Sequence, residues 1–137
     1  MIKYMNLIGI KARKASEYKV TTEVKNKVLN DYAKLIKNEK KFIINQNSKD
    51  INYARKKGLK ENLIKRLHLN ENKLDGIINS ILKIAKLRDP IDSTLEKWKR
   101  PNGLNIKRVS IPIGVIGVIY ESRPNVTSDV ASLCFKS

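Results

Sequence analysis

The chain has 137 residues, 41% of them hydrophobic and 31% charged, and this balance favours a globular domain over a disordered tail. Its 29 lysine and arginine residues outnumber 13 acidic residues, which gives a formal net charge of +16. No apolar run approaches the ~20 residues that cross a bilayer, the opening segment lacks a signal-peptide core, and the single cysteine, Cys134, excludes an internal disulfide.

The first part of the chain has the periodicity of helices. Thr21 or Thr22 can cap a helix whose first turn contains Glu23, a favourable neighbour for the positive end of the helix dipole. Apolar residues then recur at the spacing of one helix face, and this face is predicted to pack inward: Val24, Val28, Tyr32, Leu35 and Ile36.

Further helices are predicted upstream of Pro90. Ser48 can cap a helix that Gly58 ends, and a short helix follows around the sequence ENLIKRLHL. Asn70 can cap the next helix, which Pro90 prevents from continuing. The inward stripe of that helix is predicted to be Leu74, Ile77, Ile78, Ile81 and Ala85.

Strand patterns replace the helical periodicity from Trp98 onward. The sequence PNG is typical of a turn and lies between EKWKR and LNIKRVSI. Apolar and polar residues alternate in LNIKRVSI, which predicts a hairpin or an edge ribbon. The sequence IPIGVIGVIY is apolar without alternation, which predicts a strand in the middle of a parallel sheet. Gly114 and Gly117 are interpreted as letting helices approach this strand closely.

A loop and a helix are predicted after this strand. The loop is ESRPN and the helix is VTSDVASLCFK, with Thr127 or Ser128 as its cap and Asp129 in its first turn. The inward face of the helix is predicted to be Val126, Val130, Leu133 and Cys134.

The loop ESRPN would lie where open parallel sheets bind ligands, outside the carboxyl end of a strand. A surface loop with a solvated Arg123 is the alternative interpretation. A central strand needs a hydrogen-bonding neighbour on each edge, and the ribbon is the only other strand material predicted. The sequence is therefore expected to be the front part of a larger α/β protein.

These segments carry a family resemblance. The sequences LRDPI, IINQNSKDINYARKKGL and above all PIGVIGVIYESRPNVT resemble glutamate-5-semialdehyde dehydrogenase, also called γ-glutamyl phosphate reductase, of the aldehyde dehydrogenase superfamily. The resemblance runs over essentially the whole chain. It implies an incomplete α/β fold in three segments: N-terminal helices of the cofactor-binding domain (1–96), a β-ribbon of the oligomerisation arm (97–112), and the first strand–helix unit of a Rossmann-type dinucleotide-binding sheet (113–137).

The resemblance also implies an activity, the NADPH-dependent reduction of L-glutamyl 5-phosphate to L-glutamate 5-semialdehyde and phosphate in proline biosynthesis. In such enzymes a cysteine thiolate attacks the acyl phosphate, phosphate leaves, and hydride reduces the thioester. The family's nucleophilic cysteine is expected beyond Ser137, so this chain is expected to contain no catalytic nucleophile and to be inactive alone. Cys134 is interpreted as a packing residue.

The resemblance makes the loop residues the candidates for binding. Arg123 or Asn125 would lie near the reacting carbonyl, because the loop matches the superfamily in two registers. Arg123 suits a phosphate or carboxylate through paired charge-assisted hydrogen bonds, whereas Asn125 offers a neutral amide donor for an oxyanion. Glu121 is the third candidate, either holding Arg123 or forming a plain ion pair within the loop. His68, the single histidine, lacks companion metal ligands, so no metal is expected.

The complete protein is expected to be a cytoplasmic homo-oligomer with γ-glutamyl phosphate as substrate and the glutamate kinase that makes it as a candidate partner. No membrane partner is expected. Nucleic acid is not expected either, because the lysines are scattered and no basic cluster is combined with stacking aromatics. The alternative class is a small basic nucleic-acid-binding or non-catalytic interaction protein, which the net charge would support.

Overall fold

The fold is taken from a computed structural model that describes residues 2–121 and 123–137. The chain divides into two compact units, one formed by residues 2–21, 88–117 and 137, and the other by residues 22–87 and 118–136. Among the helices of the described residues, none is long and apolar enough to cross a membrane.

The first unit contains helix α1 (Ile2–Ser16) and a ribbon of strands β1 (Thr94–Lys99) and β2 (Asn105–Val109). The strands pair antiparallel, with Trp98 opposite Ile106. Gly103 closes the turn with a φ of 87° and donates its N–H to the Arg100 carbonyl over 2.9 Å. Glycine adopts this conformation without a steric penalty. The predicted hairpin around the sequence PNG is confirmed.

The second unit consists of helices α2 (Thr22–Asn38), α3 (Lys40–Lys56), α4 (Glu61–Leu67), α5 (Glu71–Lys86) and α6 (Pro124–Lys136). Helix α5 supplies most of the core, and Ile81 at its centre is completely buried. The predicted stripe of this helix is confirmed, since all five of its residues are buried: Leu74, Ile77, Ile78, Ile81 and Ala85. Leu29 and Ile36 of α2 pack against this stripe in the same cluster.

The predicted inward face of α2 is confirmed at Ile36, which is buried, and at Tyr32, which packs half-buried against the core, but it is wrong at the other three positions. Val24, Val28 and Leu35 are exposed, whereas the buried positions are Lys25, Leu29, Ala33 and Ile36. Both faces contain apolar residues, so the periodicity of α2 alone does not choose between them. The choice depends on α5, because small Ala33 allows closer packing against a stripe of isoleucines than a larger side chain would.

Helix α3 begins earlier than predicted, at Lys40, so Ser48 lies inside the helix and not at its cap. The Ser48 hydroxyl donates to the carbonyl of Ile44 over 3.0 Å, the usual bond of a serine within a helix. The end of the helix is as predicted. Gly58 has a φ of 72°, a left-handed backbone conformation, and its N–H donates to the Arg55 carbonyl, so the glycine ends the helix.

The Asn70 cap of α5 is confirmed and provides a test of helix stability. Its side chain accepts a hydrogen bond from the backbone N–H of Lys73 over 2.9 Å. We expect Asn70→Ala to lower the free energy of unfolding by about 1 kcal/mol, because an N–H of the first turn loses its acceptor. Asn72→Ala is the matched control, since Asn72 is exposed inside the same helix. Urea unfolding followed by circular dichroism measures both, and equal effects would contradict the role of the cap.

The prediction of a central strand at IPIGVIGVIY is wrong for this chain. Residues 111–121 form neither helix nor strand, and Ile113 and Ile119 are 84% and 102% exposed. A strand requires a neighbour that completes its hydrogen-bond ladder, and strand pairing among the described residues is confined to β1 and β2. The close helix approach at Gly114 and Gly117 is also absent from the described part, since open space surrounds both positions.

Helix α6 begins at Pro124, so Thr127 and Ser128 lie within it and the predicted cap is wrong. Its predicted inward face is also wrong in part, because Leu133 and Cys134 are exposed. The buried positions are instead Ser128, Ser132 and Lys136. The small serines allow α6 to pack closely against its neighbours, α5 and α2.

A buried lysine secures the far end of α6. The Lys136 ammonium group donates to the Ala85 carbonyl over 3.2 Å and to the side-chain oxygen of Asn26. Ala85 lies in the last turn of α5, where carbonyl groups lack helical partners and the helix dipole favours a cation. The ammonium group therefore connects α6 to the ends of two neighbouring helices.

Candidate functional site

The candidate site lies at the start of α6, which includes Pro124 and Asn125 of the predicted loop ESRPN, whereas Ser122 of that loop lies outside the described residues. The N–H of Val126 donates to the Arg123 carbonyl over 3.0 Å, which closes the turn that opens the helix. Pro124 suits the first helical position because it has no N–H to leave unpaired. The hydroxyl groups of Tyr120 and Thr127 lie 2.8 Å apart and form a hydrogen bond, so the segment before the loop is held against the first turns of α6.

Three polar side chains form a chain of hydrogen bonds beside this helix start. The Asn125 amide nitrogen, Nδ2, donates to Oδ2 of Asp129 over 3.3 Å. The other carboxylate oxygen of Asp129, Oδ1, accepts a hydrogen bond from the Ser80 hydroxyl over 3.0 Å. Asn125 and Asp129 are neighbours on one face of α6, and Ser80 belongs to α5. These hydrogen bonds connect the Asn125 amide to α5 through Asp129.

Asn125, Asp129 and Ser80 line an open hollow with a volume of about 320 Å³. Two cationic side chains, Arg66 and Lys73, and the imidazole of His68 also line it. Lys73 is partly committed to structure, since its ammonium group donates to the carbonyl oxygen of His68 over 2.6 Å at the end of α4. The hollow therefore combines the Asn125 amide and two cationic groups with the carboxylate of Asp129, and its excess of positive charge favours an anionic small molecule.

The other predicted site residues lie at the surface. Glu121 and Arg123 are both exposed, and within the residues that the structure describes no ion pair joins them. Arg123 is not part of the wall of the hollow, whereas Asn125 is. His68 is exposed, and the described residues contain no group of three His, Cys, Asp or Glu side chains that could hold a metal ion.

Cys134 is an exposed thiol near the other end of α6. At the rise of an α-helix it lies roughly 14 Å along the axis from Asn125, too far to attack a carbonyl bound by that amide. The expectation that Cys134 is not the nucleophile stays a prediction. The expectation that it packs inward is wrong, because the serine face of α6 takes that place.

The sequence reasoning did not identify Asp129 and Ser80 as site residues. A helix that starts at Pro124 places Asn125 and Asp129 one turn apart, which would have paired them. The predicted start after the loop left Asn125 outside the helix and concealed this spacing. The contact with Ser80 has no local signal, since α5 and α6 are distant in sequence and meet only through packing.

Comparisons with known proteins agree on one family. The chain is 47% identical over 115 residues to a γ-glutamyl phosphate reductase of Nautilia profundicola, an alignment that covers 84% of this chain and 28% of that protein. It is 44% identical over 135 residues to the reductase of Halothermothrix orenii, with 95% of this chain and 32% of that protein covered. The chain matches an N-terminal portion of the γ-glutamyl phosphate reductases.

Solved structures of γ-glutamyl phosphate reductases support the same match. The Thermotoga maritima structure superposes with a TM-score of 0.86 at 40% identity and covers 92% of this chain and 31% of that one. The Saccharomyces cerevisiae structure gives a TM-score of 0.90 at 30% identity, with 96% of this chain and 34% of that one covered. No family model matches the chain.

The chain spans about a third of the length of the γ-glutamyl phosphate reductases it matches. The predicted combination of N-terminal helices with a β-ribbon is confirmed, and it matches part of the γ-glutamyl phosphate reductase structures. The strand predicted before α6 is not formed among the described residues. The proposed division at residues 96 and 112 stays a prediction.

Proposed function

We propose that the complete protein containing this chain reduces L-glutamyl 5-phosphate to L-glutamate 5-semialdehyde and phosphate, a step of proline biosynthesis. The observation that carries the proposal is the match of nearly the whole chain to γ-glutamyl phosphate reductases, at 40% identity and a TM-score of 0.86 to the Thermotoga maritima structure. The position of Asn125 in a hollow lined with cations adds support from the geometry.

The contribution of this chain would be to bind and polarise the substrate. Attack of a thiolate on the acyl phosphate places negative charge on the carbonyl oxygen before phosphate leaves, and a fixed N–H donor stabilises that charge. Asn125 can donate such a bond. Arg123 can pair with a phosphate or carboxylate through its planar guanidinium group, and Glu121 can influence the direction of that group. The nucleophilic cysteine is proposed to lie outside this chain.

NADPH is the proposed hydride donor of the complete protein. The described residues do not fit this cofactor, since they contain no glycine-rich turn between a strand and a helix, and α6 opens on a proline without an N–H. We therefore assign no contact with NADPH, and no step that involves it, to the residues of this chain.

The complete protein is proposed to be a cytoplasmic homo-oligomer that receives its substrate from a glutamate kinase. The ribbon supports self-association, because apolar side chains on both of its strands are exposed: Leu95, Trp98 and Val109. Pairing of such ribbons between copies would bury these side chains and the free strand edges.

The complete product of the gene that encodes this chain provides the test. We expect it to catalyse the reverse reaction, in which glutamate 5-semialdehyde, phosphate and NADP+ give L-glutamyl 5-phosphate and NADPH, and the absorbance of NADPH follows this reaction. The 137-residue polypeptide alone should show no turnover, because its free thiol lies at the far end of α6 from Asn125. A complete product that folds but does not turn over, or an active 137-residue polypeptide, would contradict the proposal.

A further inference from the structure

We propose that Asp129 is a positioning residue that orients the Asn125 amide for the reaction, with Ser80 holding Asp129 in turn. This inference rests on the proposed function and assigns a role to residues that do not touch the reacting carbonyl. It starts from the hydrogen-bonded chain Ser80–Asp129–Asn125, in which the bonds measure 3.0 Å and 3.3 Å.

The carboxylate decides which end of the amide faces it. The nitrogen and oxygen ends of an asparagine side chain are nearly the same in shape, but an ionised carboxylate only accepts hydrogen bonds. Asp129 therefore selects the nitrogen of Asn125. One N–H is then used by Asp129, and the second N–H of the same nitrogen remains available to donate to a developing oxyanion.

Ser80 connects this arrangement to the core. Ser80 and Asp129 are both half-buried, and Ser80 lies one residue before Ile81, the completely buried centre of α5. Asn125 is exposed, and an exposed side chain without partners would change rotamer freely. Because a rigid helix holds the serine and the serine holds the carboxylate, the amide is oriented before substrate binds, and this preorganisation favours the transition state.

The expected result is a specific loss of turnover. In the complete gene product, Asp129→Ala should lower kcat about tenfold and change KM by less than about twofold, since the interaction lost acts mainly in the transition state. Asp129→Asn should keep part of the activity, because its carbonyl oxygen can still accept from Asn125. Ser80→Ala should lower kcat about threefold, and it tests the same chain with a substitution that favours helix formation.

A double-mutant cycle separates positioning from a general structural effect. If Asp129 acts through Asn125, the variant with both Asn125→Ala and Asp129→Ala should have nearly the same kcat as Asn125→Ala alone. Asp75→Ala is the matched control. Asp75 is a carboxylate of α5 that pairs with Lys40 and is not part of the hollow, so its loss should leave kcat unchanged.

Several outcomes would overturn the role of Asp129. These are independent losses that multiply in the double variant, a rise of KM without a fall of kcat, or an Asp129→Asn variant faster than the wild type. Each requires an active wild-type product, so each is distinguishable from failure of the proposed function, in which the wild type itself does not turn over. Thermal unfolding of every variant identifies a loss of fold. If the Asp129 variants do not fold, the kcat of Ser80→Ala decides whether the hydrogen-bonded chain positions Asn125.

Discussion

Asn125→Ala should lower kcat of the complete gene product by about 10²- to 10³-fold, because removal of one donor from an oxyanion site has effects of this size in other acyl-transfer enzymes. The change should leave KM nearly unaltered, since the negative charge develops only after the thiolate attacks. Steady-state kinetics of the reverse reaction, with phosphate and semialdehyde varied separately, measure both parameters.

Arg123→Ala distinguishes the two candidates that the loop offers. We expect it to lower turnover at least about tenfold and to raise the KM for phosphate, because a guanidinium group that pairs with phosphate contributes in the ground state as well. Asn79→Ala, at an exposed asparagine of α5, is the matched control for Asn125→Ala and should leave kcat and KM unchanged. If Arg123→Ala has wild-type kinetics, the arginine is a solvated surface residue; if Asn125→Ala does, the oxyanion role is wrong.

Ile81→Ala should lower the free energy of unfolding by about 2–5 kcal/mol, the largest effect we expect on stability. Ile81 is completely buried in the cluster shared by α2 and α5, so its removal leaves a cavity that rigid neighbours cannot fill. Urea unfolding of the 137-residue chain, followed by the helical circular dichroism signal, measures the change.

Ile119→Ala provides the matched control for this experiment. The substitution is chemically identical, but Ile119 is 102% exposed, so it removes no packing and should alter stability by less than about 0.5 kcal/mol. Comparable losses at both positions would mean that Ile119 is packed in solution and that residues 111–121 do not lie open as they do in this structure.

Local features of the fold were predictable from the sequence because their causes are local. The cap at Asn70, the helix terminus at Gly58 and the turn at Gly103 each depend on the backbone chemistry of a few adjacent residues. The inward stripe of α5 was predictable for a related reason. Its isoleucines form a single apolar face, so every packing arrangement that buries the helix buries the same residues.

Features that depend on a partner were not predictable. Helix α2 has two apolar faces, and only contact with α5 decides that Leu29 and not Val28 is buried. Helix α6 has an apolar face and a serine face, and the close fit to its neighbours selects the serines, which leaves Cys134 outside. Strand formation at residues 111–121 likewise requires a neighbouring strand for backbone hydrogen bonding, and the described residues pair only β1 with β2.

The candidate site shows the same division. The sequence by itself determined that the loop ESRPN is polar and that it carries an arginine, a proline and an asparagine after an apolar run. Only the tertiary structure decided that Asn125 faces a hollow with Asp129 and that Ser80 completes the hydrogen-bonded chain. The physical reason is that the type of each residue determines its chemical groups, whereas the distance between α5 and α6 results from packing of the whole unit.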